Sequence, residues 1–266
     1  MTPPALGTTI ILAAAGFAAG VLNALAGGGS FLSFPALILA GVPPLQANAT
    51  NTAALWPGSA LALHGFRNQF AGRSAALQGL GPLQSLWFAA ASVFGGCVGV
   101  AALFALPASA FSRLVPYLML LALLIYTFGD RMAANFRRDA PVREDGSGAV
   151  WLYGLQVLAS IYGGFFGAGF GIVVLALLSA FGVSEPRAAN ALKLLGDVSV
   201  NGVSLLLFWA LGWVDWQVAV ILAAGCLGGG YVGGRIGQRI SKVQLKALVI
   251  TIGFALTAYF FFCSVT

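Results

Sequence analysis

Ala26-Gly27-Gly28-Gly29-Ser30-Phe31-Leu32-Ser33-Phe34-Pro35-Ala36-Leu37-Ile38-Leu39-Ala40-Gly41-Val42 is the stretch on which the fold turns. Three consecutive glycines weaken any helix that reaches them, since each costs about 1 kcal/mol against alanine in a helix interior. The apolar run that follows, 30 to 41, has 12 residues. As helix it would cover about 18 Å, short of a hydrocarbon core of about 30 Å. It reads as the second arm of a bent or re-entrant hairpin whose first arm is the apolar run 7 to 26. Gly167-Ala168-Gly169-Phe170-Gly171, followed by the short run 171 to 182, takes the same reading.

Composition makes lipid the solvent of these runs. The 266 residues include 13 Lys or Arg and 7 Asp or Glu, so 8% are charged while 59% are hydrophobic, and mean hydropathy is +0.93. A soluble domain carries roughly 25% charged residues, so an ordinary soluble enzyme or binding module is excluded. Eight of the charges (Asp130, Arg131, Arg137, Arg138, Asp139, Arg143, Glu144, Asp145) crowd into one 16-residue stretch. Further apolar runs lie at 47 to 66, 82 to 105, 114 to 129, 150 to 165, 188 to 211, 216 to 234 and 247 to 263, several long enough to span a bilayer. The net charge of +6 sits at the ends of these runs, with no basic patch and interleaved aromatics, so no nucleic-acid partner is expected. Cys97, Cys226 and Cys263 have neither disulfide nor zinc spacing, and no metal or cofactor is expected. Met1-Thr2-Pro3-Pro4 lacks the basic start of a signal peptide, so the first run reads as mature protein.

The chain reads as an internal duplication: 1–130 a first transmembrane repeat, 131–149 a charged cytoplasmic linker and 150–266 a second repeat. Ala26-Gly27-Gly28-Gly29-Ser30 aligns with Gly167-Ala168-Gly169-Phe170-Gly171, and Gly41-Val42 with Gly182-Val183. With one residue inserted, Ala47-Asn48 falls on Ala189-Asn190, Asn51 on Lys193 and Ser59 on Asn201; farther on, Gly95-Gly96-Cys97-Val98-Gly99 aligns with Gly229-Gly230-Tyr231-Val232-Gly233. If each broken pair enters and leaves on one side, the cytoplasmic loops collect Arg67, Arg73, Arg131, Arg137, Arg138, Arg143, Arg187, Arg235, Arg239, Lys242 and Lys246, against Arg113 outside. If each pair were one continuous span, the split would be even, so the positive-inside rule selects the first arrangement. The expected fold is an all-α polytopic membrane protein of two inverted repeats, each a Gly-broken hairpin plus three transmembrane helices, with both termini outside. The Trp209, Trp213 and Trp216 cluster suits the outer interface.

Two features carry candidate chemistry. Glycine breaks free backbone N–H groups, and the helices starting near Ser30 and Gly171 would turn positive N-terminal ends toward the interior, a natural anion site. Gly27, Gly28, Gly29, Ser30, Gly167, Gly169 and Gly171 are therefore candidate substrate residues, and a side chain at Gly28 or Gly169 would keep an oxyanion off those N–H groups. The plainer alternative is that the glycines only allow close helix packing. The second feature is a polar stripe: Asn190, Lys193, Asp197, Asn201 and Ser204 share one helix face, answered in the first half by Asn48, Asn51, Thr52 and Ser59. Lys193 and Asp197 lie roughly 8 and 14 Å into their segment, a depth at which charges usually face a pathway. The alternative is a structural pair at i, i+4. His64 reads as interfacial. An intramembrane serine hydrolase from Ser30 and His64 is disfavoured, because the duplicated half repeats no such pair.

Ala19-Gly20-Val21-Leu22-Asn23-Ala24-Leu25-Ala26-Gly27-Gly28-Gly29-Ser30, then Pro35, Gly41-Val42-Pro43-Pro44 and Ala47-Asn48-Ala49-Thr50-Asn51, resembles the sulfite exporter TauE/SafE family, also called the toluene sulfonate uptake permease family. The second half departs from that pattern in having Gly167-Ala168-Gly169-Phe170-Gly171 in place of a full Gly run. The resemblance implies an inner-membrane carrier of sulfite, sulfonates or related sulfur oxyanions, and it brings Asn23 into the candidate set. The expected function is secondary transport, as an exporter, of a small sulfur-containing anion by alternating access, with the lipid bilayer as surroundings and a homodimer left open. Transport of another small solute, or a channel, is the alternative. An inside-negative potential favours outward movement of an anion by about 2.3 kcal/mol per charge per 100 mV, and no Gly-x-x-x-x-Gly-Lys loop is present to bind ATP.

Overall fold

The computed structural model describes residues 5–25, 28–66, 81–139, 147–183, 185–236 and 242–263. Among them are ten helices and no strand: α1 Leu6–Leu25, α2 Ser30–Leu39, α3 Pro44–Gly65, α4 Pro82–Phe104, α5 Ala108–Asp139, α6 Ser147–Phe165, α7 Phe170–Ala180, α8 Pro186–Ala210, α9 Trp216–Ile236 and α10 Lys242–Cys263. Five helices are long and apolar enough to cross a membrane: α1, α4, α5, α8 and α9. The chain is thus an all-helical polytopic membrane protein. The helix α3 is not among the five, because the polar stripe of Asn48, Asn51 and Thr52 lowers its hydropathy.

Local signals explain the boundaries. Pro44, Pro82 and Pro186 open α3, α4 and α8, where the missing N–H costs nothing and the fixed φ suits a helix. The Glu185 carboxylate caps α8 by accepting from the Ala188 N–H. The two short helices close alike. Val42 and Gly41 donate to Leu37 and Ile38 after α2, and Val183 and Gly182 donate to Leu178 and Ser179 after α7. These paired bonds cap a helix C-terminus, which accounts for the repeated Gly-Val. The charged stretch assigned to a linker is helical as far as Asp139, since α5 continues through it, and residues 140–146 lie outside the described residues. So do Arg67, Arg73, Arg143 and Arg239 of the charge count.

Helix packing crosses the halves of the chain. The first helix of each half lies on the fourth helix of the other, α1 on α9 and α6 on α4. Glycines at four-residue spacing bring the backbones together. A Cβ placed on Gly16 or Gly20 would sit 2.4 or 2.1 Å from the carbonyl oxygens of Leu222 or Cys226, and one on Gly225 or Gly229 would sit 2.3 or 1.9 Å from those of Ala13 or Phe17. Across α4 and α6, Gly95 and Gly99 stand in the same relation to Val157 and Ile161, at 2.5 and 2.2 Å. Any larger residue at these six positions would push the helices apart.

The remaining contacts follow the same exchange. The helices α1, α2, α3 and α9 form one body through α1 with α9, α9 with α3, α1 with α2 and α2 with α3. The helices α4 to α8 form the other, through α4 with α6, α4 with α8, α5 with α7 and α6, α7 and α8 with one another. The two bodies meet chiefly where α3 crosses α8, and α10 touches both, packing more on α5 than on α2. Packing therefore sets α4 to α8 apart from α1, α2, α3 and α9, whereas the sequence similarity groups the halves on either side of 131–149.

Candidate functional site

A cavity of about 50 Å³ lies where α3 meets α8, between the two glycine breaks. Twelve of its sixteen lining residues fall into pairs that the sequence alignment of the halves matches: Gly28 with Gly169, Ser30 with Gly171, Asn51 with Lys193, Thr52 with Leu194, Leu55 with Asp197 and Ser59 with Asn201. Asn23, Phe166, Gly167 and Phe170 complete it. Both halves thus supply the same positions to one chamber, with different chemistry at every pair but Gly28 and Gly169.

The breaks themselves have matching geometry. Gly28 and Gly169 have φ of 114° and 78°, a region that only glycine enters readily. Their carbonyls accept from Phe31 and Ile172 at 3.0 and 2.9 Å, closing the first turns of α2 and α7. Some N–H groups expected to face a ligand are therefore occupied, while the N–H of Gly171, a lining residue, meets no backbone carbonyl among the described residues. A Cβ on Gly28 would point at the Tyr126 ring, 3.2 Å away, and one on Gly169 at Ala122, 3.6 Å from its carbonyl oxygen. Bulk at these two glycines would strike α5 first, which differs from the expectation that it would intrude on a bound ion.

Each short helix is tied to the long helix after it by the same positions. The Asn51 side chain accepts from the Ser33 hydroxyl at 2.5 Å and donates to Ser30 Oγ at 3.2 Å. Both ends of that amide are occupied, and Asn51 is 4% exposed. Lys193 at the matching position lays its stem across Gly171, whose Cβ would lie 3.4 Å from Lys193 Cδ and 3.5 Å from Cε. The absent side chain at Gly171 makes room for the longer residue. Lys193 is 9% exposed, lines the cavity, and among the described residues makes no hydrogen bond or ion pair.

Asp197, one turn farther along α8, is held from both bodies. Asn201 Nδ2 donates to its Oδ1 at 2.9 Å, and Ser59 on α3 supplies a second side-chain hydrogen bond. Its charge and that of Lys193 attract across the cavity, but among the described residues no cation stands within ion-pair distance of the carboxylate. The structural i, i+4 pair, the alternative to a functional role, is a neighbourhood of opposite charges, with no direct contact among the described residues.

The structure brings Asn23, Gly28, Ser30, Asn51, Thr52, Gly167, Gly169, Gly171, Lys193, Asp197 and Asn201 to one cavity. Asn48 and Asn190 do not line it. Asn48 Nδ2 instead donates to the Phe165 carbonyl at 3.0 Å, satisfying the end of α6 where the break leaves it open. Gly29 faces α1, 2.5 Å from the Ala19 carbonyl oxygen at its Cβ position, and so serves packing. Gly27 lies outside the described residues. His64 is exposed near the end of α3, away from the lining. Sequence reasoning placed Ser59 in the stripe without counting it a site residue, though its match to Asn201 was the signal. It missed Leu55, Leu194, Phe166 and Phe170, which nothing distinguishes from other apolar residues in a membrane helix.

The chain is 29% identical over 252 residues to a probable membrane transporter protein of Haemophilus influenzae, covering 93% of this chain and 92% of that one. It is 28% identical to the probable membrane transporter protein ORF9 of a Sinorhizobium species, covering 91% and 88%, and 27% identical to the probable membrane transporter protein YfcA of Escherichia coli K12, covering 90% and 84%. No solved structure matches the chain. The model of the sulfite exporter TauE/SafE family matches residues 12–260, and the protein, a membrane protein of a transporter family, belongs to that family.

Proposed function

We propose that the protein is a secondary transporter of the inner membrane that moves a small sulfur-containing oxyanion, in the exporting direction, through the cavity between α3 and α8. The observation that carries this reading is Lys193: a cation inside the cavity whose ammonium no residue of the described chain occupies. A buried charge is costly and is kept where a pathway or ligand meets it. The Gly171 N–H and the positive ends of α2 and α7 add to the attraction, while Ser30, Thr52 and Asn201 offer polar atoms in place of water.

Size narrows the substrate. A water needs about 10–15 Å³ on this measure of volume, so a 50 Å³ cavity takes about four. That suits an ion of four or five heavy atoms better than a substituted alkanesulfonate. Alternating access then follows from movement of the two interlocked bodies about the α3–α8 contact. Glycine-tight α1–α9 and α4–α6 interfaces speak against a rocking of the sequence halves. The exchange of contacts between halves and the charge count support inverted repeats, with both termini outside.

The test is a binding and flux screen of purified protein with sulfite, thiosulfate, sulfate, taurine and sulfoacetate. Saturable flux of the smaller oxyanions in proteoliposomes, lost in Lys193→Met, is the expected result. Equal handling of all five, or flux indifferent to Lys193, would refute the reading.

A further inference from the structure

The charges in the cavity do not balance once an anion enters. Among the described residues the site has one basic side chain, Lys193, and one acidic side chain, Asp197. Among the described residues no other Lys, Arg, His, Asp or Glu lines it: α1 and α2 bring Asn23 and Ser30, α3 brings Asn51, Thr52, Leu55 and Ser59, and the α6–α7 break brings glycines and two phenylalanines. The nearby phenol on α6, Tyr162, donates to the Ala168 carbonyl, and the ring of Tyr126 on α5 packs against Gly28 from outside the lining. A monovalent anion drawn to Lys193 would leave one uncompensated negative charge away from water, a state of high energy.

Resting on the anion-transport reading, we infer that Asp197 is a proton-binding site of the transport cycle: it takes up one proton for each monovalent anion that Lys193 holds, and the two cross the membrane as a neutral load. The surroundings of Asp197 suit a group that changes state. An Arg or Lys in direct contact would lock a carboxylate in its ionised form, and none stands there among the described residues. Its partners tolerate both forms. The Asn201 amide donates to Oδ1, which a neutral carboxyl still offers as its carbonyl oxygen. The Ser59 hydroxyl is both donor and acceptor, so it donates to the carboxylate and accepts from the protonated acid after turning about its C–O bond. Protonation of Asp197 leaves Lys193 charged and the anion site intact; loss of the Lys193 proton would remove the attraction itself. The proton comes from the aqueous phase on the loading side and returns to water on the other.

The position is also specific to one half. Leu55 stands where the alignment puts the match for Asp197, and Asn51 stands at the match for Lys193. One half brings the titratable pair and the other a neutral wall, which limits the cycle to a single proton. The membrane potential then does no work on the loaded carrier. Net movement then follows the summed chemical gradients of anion and proton, in place of the potential-driven export expected from the anion alone.

The experiment uses proteoliposomes of the whole protein, with anion flux, internal pH and potential read together while valinomycin and K⁺ clamp the voltage. Methanesulfonate is the main probe, because it stays ionised at every pH used and any proton that moves with it must be carried by the protein; sulfite is run beside it. The wild-type protein is expected to move one proton with each methanesulfonate at a rate indifferent to the clamp. Binding should tighten up to tenfold per pH unit as pH falls through the range in which the empty site is ionised. Asp197→Asn, which copies the protonated carboxyl, should bind with no pH dependence and carry charge without a proton. Wild-type flux of methanesulfonate with no proton and with a response to the clamp would overturn the inference while sparing the transport reading. The wild-type ratio decides this even where the variant fails to fold. No flux of either anion would overturn both.

Discussion

Removing both charges of the cavity separates a transport site from a structural pair. Lys193 and Asp197 are not in direct contact, so at an effective dielectric of about 20 their attraction is below about 4 kcal/mol. Burying each costs several kcal/mol. In the double variant Lys193→Met/Asp197→Asn both terms vanish, and the methionine keeps the apolar stem that lies along Gly171. Replacing a buried pair by neutral groups is typically neutral or stabilising, whereas removing one partner alone costs about 3–5 kcal/mol when the other stays ionised. Thermal unfolding in detergent should therefore show the double variant at least as stable as wild type, and Lys193→Met alone less stable, its loss moderated by the Ser59 and Asn201 bonds to Asp197. Anion binding should behave differently. A hydrogen bond to a charged group is worth about 1.5–3 kcal/mol, which at 1.4 kcal/mol per factor of ten makes the double variant about 10- to 150-fold weaker for sulfite by calorimetry. A stable double variant that transports at the wild-type rate would refute the reasoning and reduce the pair to a packing feature.

Three further outcomes follow from the same geometry. Reporter fusions or cysteine labelling should place residue 266 outside and residues 130–149 in the cytoplasm, and a cytoplasmic C-terminus would overturn the re-entrant reading. In a cysteine-free background lacking Cys97, Cys226 and Cys263, a short thiol cross-link between Phe17→Cys and Gly228→Cys should leave transport intact, because both lie in one body, 3.8 Å apart at Phe17 Cδ2 and the added Cβ. Loss of transport with this link would favour rocking of the sequence halves, because Phe17 and Gly228 lie in different halves. Gly171→Val should fold and weaken anion binding by displacing the Lys193 stem, while Gly28→Val, strained at its φ of 114° and blocked by Tyr126, should lose about 1–3 kcal/mol of stability; unchanged binding in Gly171→Val would count against Lys193 as the anion's partner.

Much of this is legible in the sequence, for reasons of solvent and backbone. A chain with 8% charge has no means of covering a water-facing surface, so membrane helices follow from composition alone. The two glycine breaks, the two short helices after them and the polar stripes of α3 and α8 are local properties, written as spacing, and they lie where the spacing put them. The family was likewise carried by contiguous residues around Gly27 to Ser30.

Tertiary structure alone decided what those residues do. Asn48, Asn51 and Lys193 look alike in a one-dimensional stripe, yet Asn48 closes the end of α6, Asn51 clamps Ser30 and Ser33, and only Lys193 keeps its charged group for the cavity. The direction of a missing Cβ is equally invisible in sequence, which is why Gly28 faces Tyr126 and Gly171 faces Lys193 against a common expectation for both. The grouping of helices is the deepest such case. Similarity between segments reports common ancestry of sequence, but rigidity comes from contact, and the closest contacts run from α1 to α9 and from α6 to α4 because glycines there let one backbone touch another.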